Sequence, residues 1–145
     1  MPLRLDNVGV VVEDLDAAIT FFEALGMELE GRATVEGEWV DRVDGLVGTH
    51  ADIAMLRTPD GHGRLEVTRY RHPAAVGPDP RDEPANTRGM SRVMFSVDDI
   101  DAVVARLRGL GGELVGEIVR YEDAYRLCYL RGPEGIILGL AQELG

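Results

Sequence analysis

The chain has no lysine at all; its 15 basic residues are all arginine. Schiff-base chemistry and a lysine general base are therefore excluded. There is one cysteine, Cys128, so no internal disulfide can form. It sits in the apolar stretch 127–130 and reads as a buried structural thiol in a reducing, cytoplasmic setting. No apolar run approaches the ~20 residues of a membrane span, and residues 1–6 lack the basic and apolar regions of a secretory signal. Positive charge is scarce: the net charge is −11. Nucleic acid and anionic membranes, which are held through basic side chains, are not expected partners.

The chain has 145 residues, 45% hydrophobic and 28% charged. That suits one packed domain. Within it the sequence repeats. Residues 5–32 and 90–117 align without a gap at an offset of 85 (Val8 with Val93). Identical pairs are Val8/Val93, Val12/Val97, Asp14/Asp99, Asp16/Asp101, Ala17/Ala102, Leu25/Leu110, Gly26/Gly111, Glu28/Glu113, Leu29/Leu114 and Gly31/Gly116. Each copy opens on a Val-rich run that predicts a strand. Asp14 or Asp99 then offers a carboxylate to cap a helix. Leu15, Ala18, Ile19, Phe22 and Leu25 follow at helical spacing, matched by Ile100, Val103, Val104, Leu107 and Leu110. Gly26 and Gly111 stand where a helix ends in a left-handed residue. Residues 28–32 and 113–117 lead into a second strand. Leu56-Arg57-Thr58-Pro59-Asp60-Gly61 parallels Leu130-Arg131-Gly132-Pro133-Glu134-Gly135, a tight turn between strands. Final strands are expected over residues 64–69 and 136–142.

The fold class is therefore α+β: two tandem βαβββ modules forming a curved mixed sheet around one cleft. Residues 1–145 make a single domain, with module one at 3–70, a Pro-rich linker at 71–88 containing Pro73, Pro78, Pro80 and Pro84, and module two at 89–143. Clefts between such repeats are common ligand sites.

The duplicated strand and capped-helix openings, with the endings RLEVTR and PEGIILGLAQ, resemble the vicinal oxygen chelate superfamily of glyoxalases, bleomycin resistance proteins and extradiol dioxygenases. The resemblance spans nearly the whole chain. It implies a homodimer whose partner is a small molecule. It also implies a divalent metal held by four positions, on the first and last strand of each module, acting as a Lewis acid. Here those positions are Asn7, Glu66, Arg92 and Gly139. Only Glu66 is a good ligand, so the usual metal site is expected to be absent, with no cofactor. A divergent enzyme of the glyoxalase or epimerase type, holding one divalent metal ion through other ligands, stays open as an alternative. The histidines, His50, His62 and His72, fall in loop, turn and linker stretches.

Arg92 brings positive charge without a metal, either paired with Glu66 or free for a ligand's carboxylate or enolate oxygen. Two readings stay open. One is a protein that binds, or sequesters, a small organic compound. The other is a lyase or isomerase with catalytic Glu66 as base and Arg92 as oxyanion stabiliser. Ligand-binding candidates are Asn7, Glu66, Arg92, Trp39, Tyr121 and Tyr125, the aromatics being suited to stacking a flat compound or to plain packing. The acidic pairs near Asp14 and Asp99 are assigned to helix capping, not catalysis.

Overall fold

A computed structural model describes residues 2–77 and 82–145. Contacts divide the chain into two compact units, Met1–Gly77 and Pro78–Gly145. Pro78 and Pro80 of the expected linker lie outside the described residues.

Module one holds β1 (Val8–Val11), α1 (Leu15–Leu25), β2 (Glu28–Glu36), α2 (Glu38–Asp44), β3 (His50–Arg57) and β4 (Arg64–His72). Its sheet has the order β1-β4-β3-β2, with β1 parallel to β4 and the other pairs antiparallel. Module two holds β5 (Val93–Ser96), α3 (Ile100–Gly109), β6 (Glu113–Leu114), β7 (Val119–Tyr121), β8 (Tyr125–Arg131) and β9 (Ile137–Glu143). Its sheet runs β5-β9-β8-β6, and β7 also pairs with β8. The two mixed sheets repeat the same plan, a parallel first and last strand with the hairpin strands outside them.

The helices form for the anticipated reasons. The Asp14 carboxylate accepts from Ala17 N at 3.0 Å, and Asp99 accepts from Ala102 N at 3.2 Å. Each satisfies one of the free donors of a first helical turn. Leu15, Ala18, Ile19, Phe22 and Leu25 are buried, as are Ile100, Val103, Val104 and Leu107. Gly26 ends α1 at a φ of 125°, where a Cβ would be strained. In module two the helix stops one residue sooner: Leu110 is the C-cap and is exposed, and Gly111 takes the positive φ.

Three boundaries differ from the sequence expectation. β4 extends to His72, because the strand continues to pair with β3 as far as His50; Arg71 and His72 are strand, and Arg71 Nε donates to Asp52 at 2.6 Å. His50 likewise opens β3 instead of lying in a loop. Helix α2 was not foreseen. It is seven residues long with only Val40 buried, and its Gly37 N-cap lends no side-chain bond. Tertiary bonds hold it: Asp41 accepts from the backbone N–H of Gly48 and Thr49 at 2.9 and 2.8 Å, and Asp44 accepts from Thr49 Oγ1 at 2.8 Å. In module two the expected second strand is cut to β6, two residues, with β7 following separately.

Candidate functional site

Strand register settles which positions correspond. In module one Glu66 lies opposite Gly9 on β1. In module two Gly139 lies opposite Met94 on β5. Gly9 and Met94 are themselves matched by the repeat, so Glu66 and Gly139 are structurally equivalent. Asn7 and Arg92 each immediately precede the first strand of their module.

In module one the Asn7 amide donates to Asp6 at 2.9 Å. That bond, with help from the Arg4 and Arg64 guanidiniums, holds the Asp6 carboxyl below its ordinary range against a smaller desolvation effect. Glu66 stands between buried Leu65 and Val67 and is itself half-buried, opposite Met55 on β3. Within its module no described residue bonds or ion-pairs with its carboxylate. Trp39 stands on α2 and is exposed. A polar notch of about 280 Å³ lies between β2 and β4. Its charges are already matched, since Asp52 accepts from both Arg71 and Thr34.

Module two is different. β9 lies between β5 and β8, and Gly139 is flanked by Met94 on one side and Tyr129 on the other. A Cβ at Gly139 would lie 2.1 Å from the Met94 sulfur. The thioether therefore fills the space that a side chain would need. The Arg92 guanidinium carbon sits 4.9 Å from the centre of the Tyr129 ring. This is cation–π distance. Arg92 also donates to Ser91 Oγ at 3.4 Å and remains exposed, with no carboxylate partner among the described residues.

Tyr129 leads into a cavity of about 460 Å³. Tyr125, Leu127 and Tyr129 alternate along one face of β8, while Cys128 and Leu130 are buried on the other. Tyr121 pairs with Tyr125 across the β7–β8 turn. The turn is braced by Arg120, which donates to Asp123 Oδ1 at 2.8 Å and to the Glu122 carbonyl at 3.0 Å. Val115 and Val119 complete an apolar wall, and Glu117 is the one charged residue in the lining. Burial raises the pKa of the Cys128 thiol, which fits its structural assignment.

Thus Tyr121, Tyr125 and, through Tyr129, Arg92 gather in module two. Asn7, Glu66 and Trp39 belong to module one. Met94 and Tyr129 were missed as site residues. The alternation of residues 125, 127 and 129 was a usable signal for Tyr129; nothing local signalled Met94. The histidines are dispersed. His50 pairs with Glu36 at 3.5 Å, and His62 donates its backbone N–H to Asp60. Among the described residues no three His, Cys, Asp or Glu side chains gather as metal ligands. The four family positions offer one carboxylate, one amide, one permanent cation and one bare backbone. That donor set does not fit a divalent ion.

Comparison with known proteins agrees with this architecture. Residues 4–140 match the model of the Glyoxalase/Bleomycin resistance protein/Dioxygenase superfamily. A glyoxalase family protein from Bacillus cereus is 57% identical, with a TM-score of 0.95, over 100% of this chain and 97% of that one. YwbC of Bacillus subtilis (strain 168) is 27% identical over 93% of this chain and 94% of its own length. The trypanothione-dependent glyoxalase I of Leishmania major shares the fold at 19% identity and a TM-score of 0.67, over 98% of this chain and 88% of its own. The duplicated plan and the match over both modules lead to one conclusion: the chain belongs to the glyoxalase/bleomycin resistance protein/dioxygenase superfamily.

Proposed function

We infer that the protein binds a small organic ligand and does so without the divalent ion usual in this superfamily. The observation that carries this reading is the arrangement around Gly139. One family ligand position is a bare backbone covered by the Met94 thioether, and the other module-two position is a guanidinium 4.9 Å from the centre of the Tyr129 ring. Arginine is always charged and cannot ligate. It provides a fixed positive charge of the kind a metal would otherwise bring, suited to a ligand oxygen. The adjacent cavity has the size and apolar lining of small-molecule sites. A thermal-shift screen of small organic compounds, run with and without a chelator, tests the reading. Stabilisation by a ligand that persists in chelator supports it; stabilisation that vanishes with the metal sinks it.

A second reading, a lyase or isomerase, is favoured by one observation: the half-buried Glu66 carboxylate has no partner among the described residues of its module, which suits a general base. Product analysis with any ligand found in the screen separates the two. Turnover lost in Glu66→Gln with binding retained makes the protein an enzyme.

A further inference from the structure

The ligand site has a self-contained candidate in module two, and its walls describe its occupant. We propose that the cavity at Tyr121, Tyr125 and Tyr129 binds a flat aromatic or conjugated organic anion, its acid group held by Arg92. This deepens the ligand-binding reading above and rests on it.

The lining is almost wholly apolar and aromatic: Val115, Val119, Leu127 and the three tyrosines. Tyr121 and Tyr125 remain 58% and 42% exposed, so their rings are available to a ligand and not spent on the core. Large aromatic faces of this kind favour flat partners. Charge then sets the orientation. Beside Tyr129, though not part of the lining itself, stands Arg92, exposed and without a carboxylate partner among the described residues. Glu117, the one charged residue of the lining, lies between Val115, whose N–H donates to the Tyr129 carbonyl, and Val119, which pairs with Leu127. An anionic group is drawn toward Arg92, with the apolar body of the ligand lying along Leu127, Val119 and Tyr121. Beside the Tyr129 ring the exposed guanidinium donates to Ser91 Oγ at 3.4 Å and has further N–H donors for a carboxylate or sulfonate.

Two fluorescent probes with nearly the same aromatic body test this: anilinonaphthalene sulfonate, an anion, and phenylnaphthylamine, which is neutral. The intact protein is expected to bind the anion about tenfold tighter, the scale of one charge-assisted contact. Arg92→Met should abolish that preference while retaining the neutral probe, which also shows that the site is still folded. Tyr121→Ala should weaken both probes. Equal binding of the two probes by the intact protein, or an anion preference unchanged in Arg92→Met, overturns the proposal. So does binding of either probe that is indifferent to Tyr121→Ala. If neither probe binds, the proposal falls. If the wider screen also yields no ligand, the ligand-binding reading falls with it; a ligand found elsewhere leaves that reading standing.

Discussion

The Met94 sulfur lies where a side chain at Gly139 would begin, 2.1 Å from the position of a Cβ. The position at which the resemblance to the superfamily implies a metal ligand serves here as clearance for the Met94 thioether.

Filling that clearance should be costly and recoverable. Gly139→Val places methyl groups where the Met94 sulfur now sits. Overpacking typically costs about 1–3 kcal/mol. Met94 is 48% exposed, so its flexible chain has somewhere to go, and the low end of that range is expected. Urea unfolding of Gly139→Val, Met94→Ala and the double variant forms a cycle. The double variant should recover most of the loss suffered by Gly139→Val. Simple additivity would mean that the two side chains do not compete.

The repeated helix caps should behave alike. Asp14→Ala and Asp99→Ala each remove one side-chain bond to a first-turn N–H. Each is expected to cost about 1 kcal/mol, read as a shift in denaturant midpoint. A loss at one cap and none at the other would mean that the module helices are held differently.

Acid should loosen the attachment of α2. Backbone N–H groups of Thr49, then Gly48, hold the Asp41 carboxyl below its ordinary range. A depressed carboxylate contributes stability above its unfolded value, about 4, and loses it as pH falls through the lower folded value. Asp41→Ala should therefore melt below the parent at neutral pH, and the difference should close in acid. A difference that grows on acidification would reverse the assigned sign.

Cys128 is 4% exposed and its thiol is shifted upward by burial. A thiol reagent at neutral pH should leave the native protein largely unmodified and label one site per chain on unfolding, because the thiolate is the reactive form. Immediate labelling of native protein would show an accessible, activated cysteine.

The scaffold was readable in the sequence where local rules agreed: Asp14 and Asp99 as caps, the spaced apolar helix faces, and the Pro-containing turns after Arg57 and Arg131. It was not readable where tertiary bonds decide. Helix α2 depends on Asp41 and Asp44 reaching the loop before β3, and β4 gains its last residues from pairing with β3. The correspondence of Glu66 with Gly139 is fixed by strand register, since Gly9 and Met94, which they face, are matched by the repeat. The site was only half visible. Arg92, Tyr121 and Tyr125 stood out by type, but the contact of Arg92 with Tyr129 depends on how β9 brings β5 and β8 to its two sides.

The central claim is that a small organic ligand is held without the superfamily's divalent ion. Metal analysis of the purified protein after equilibration with Mn, Ni, Zn, Co and Fe salts tests it most directly, with Glu66→Gln run alongside. The account predicts no stoichiometric metal in either protein. One equivalent of metal per chain, lost in Glu66→Gln, would contradict it.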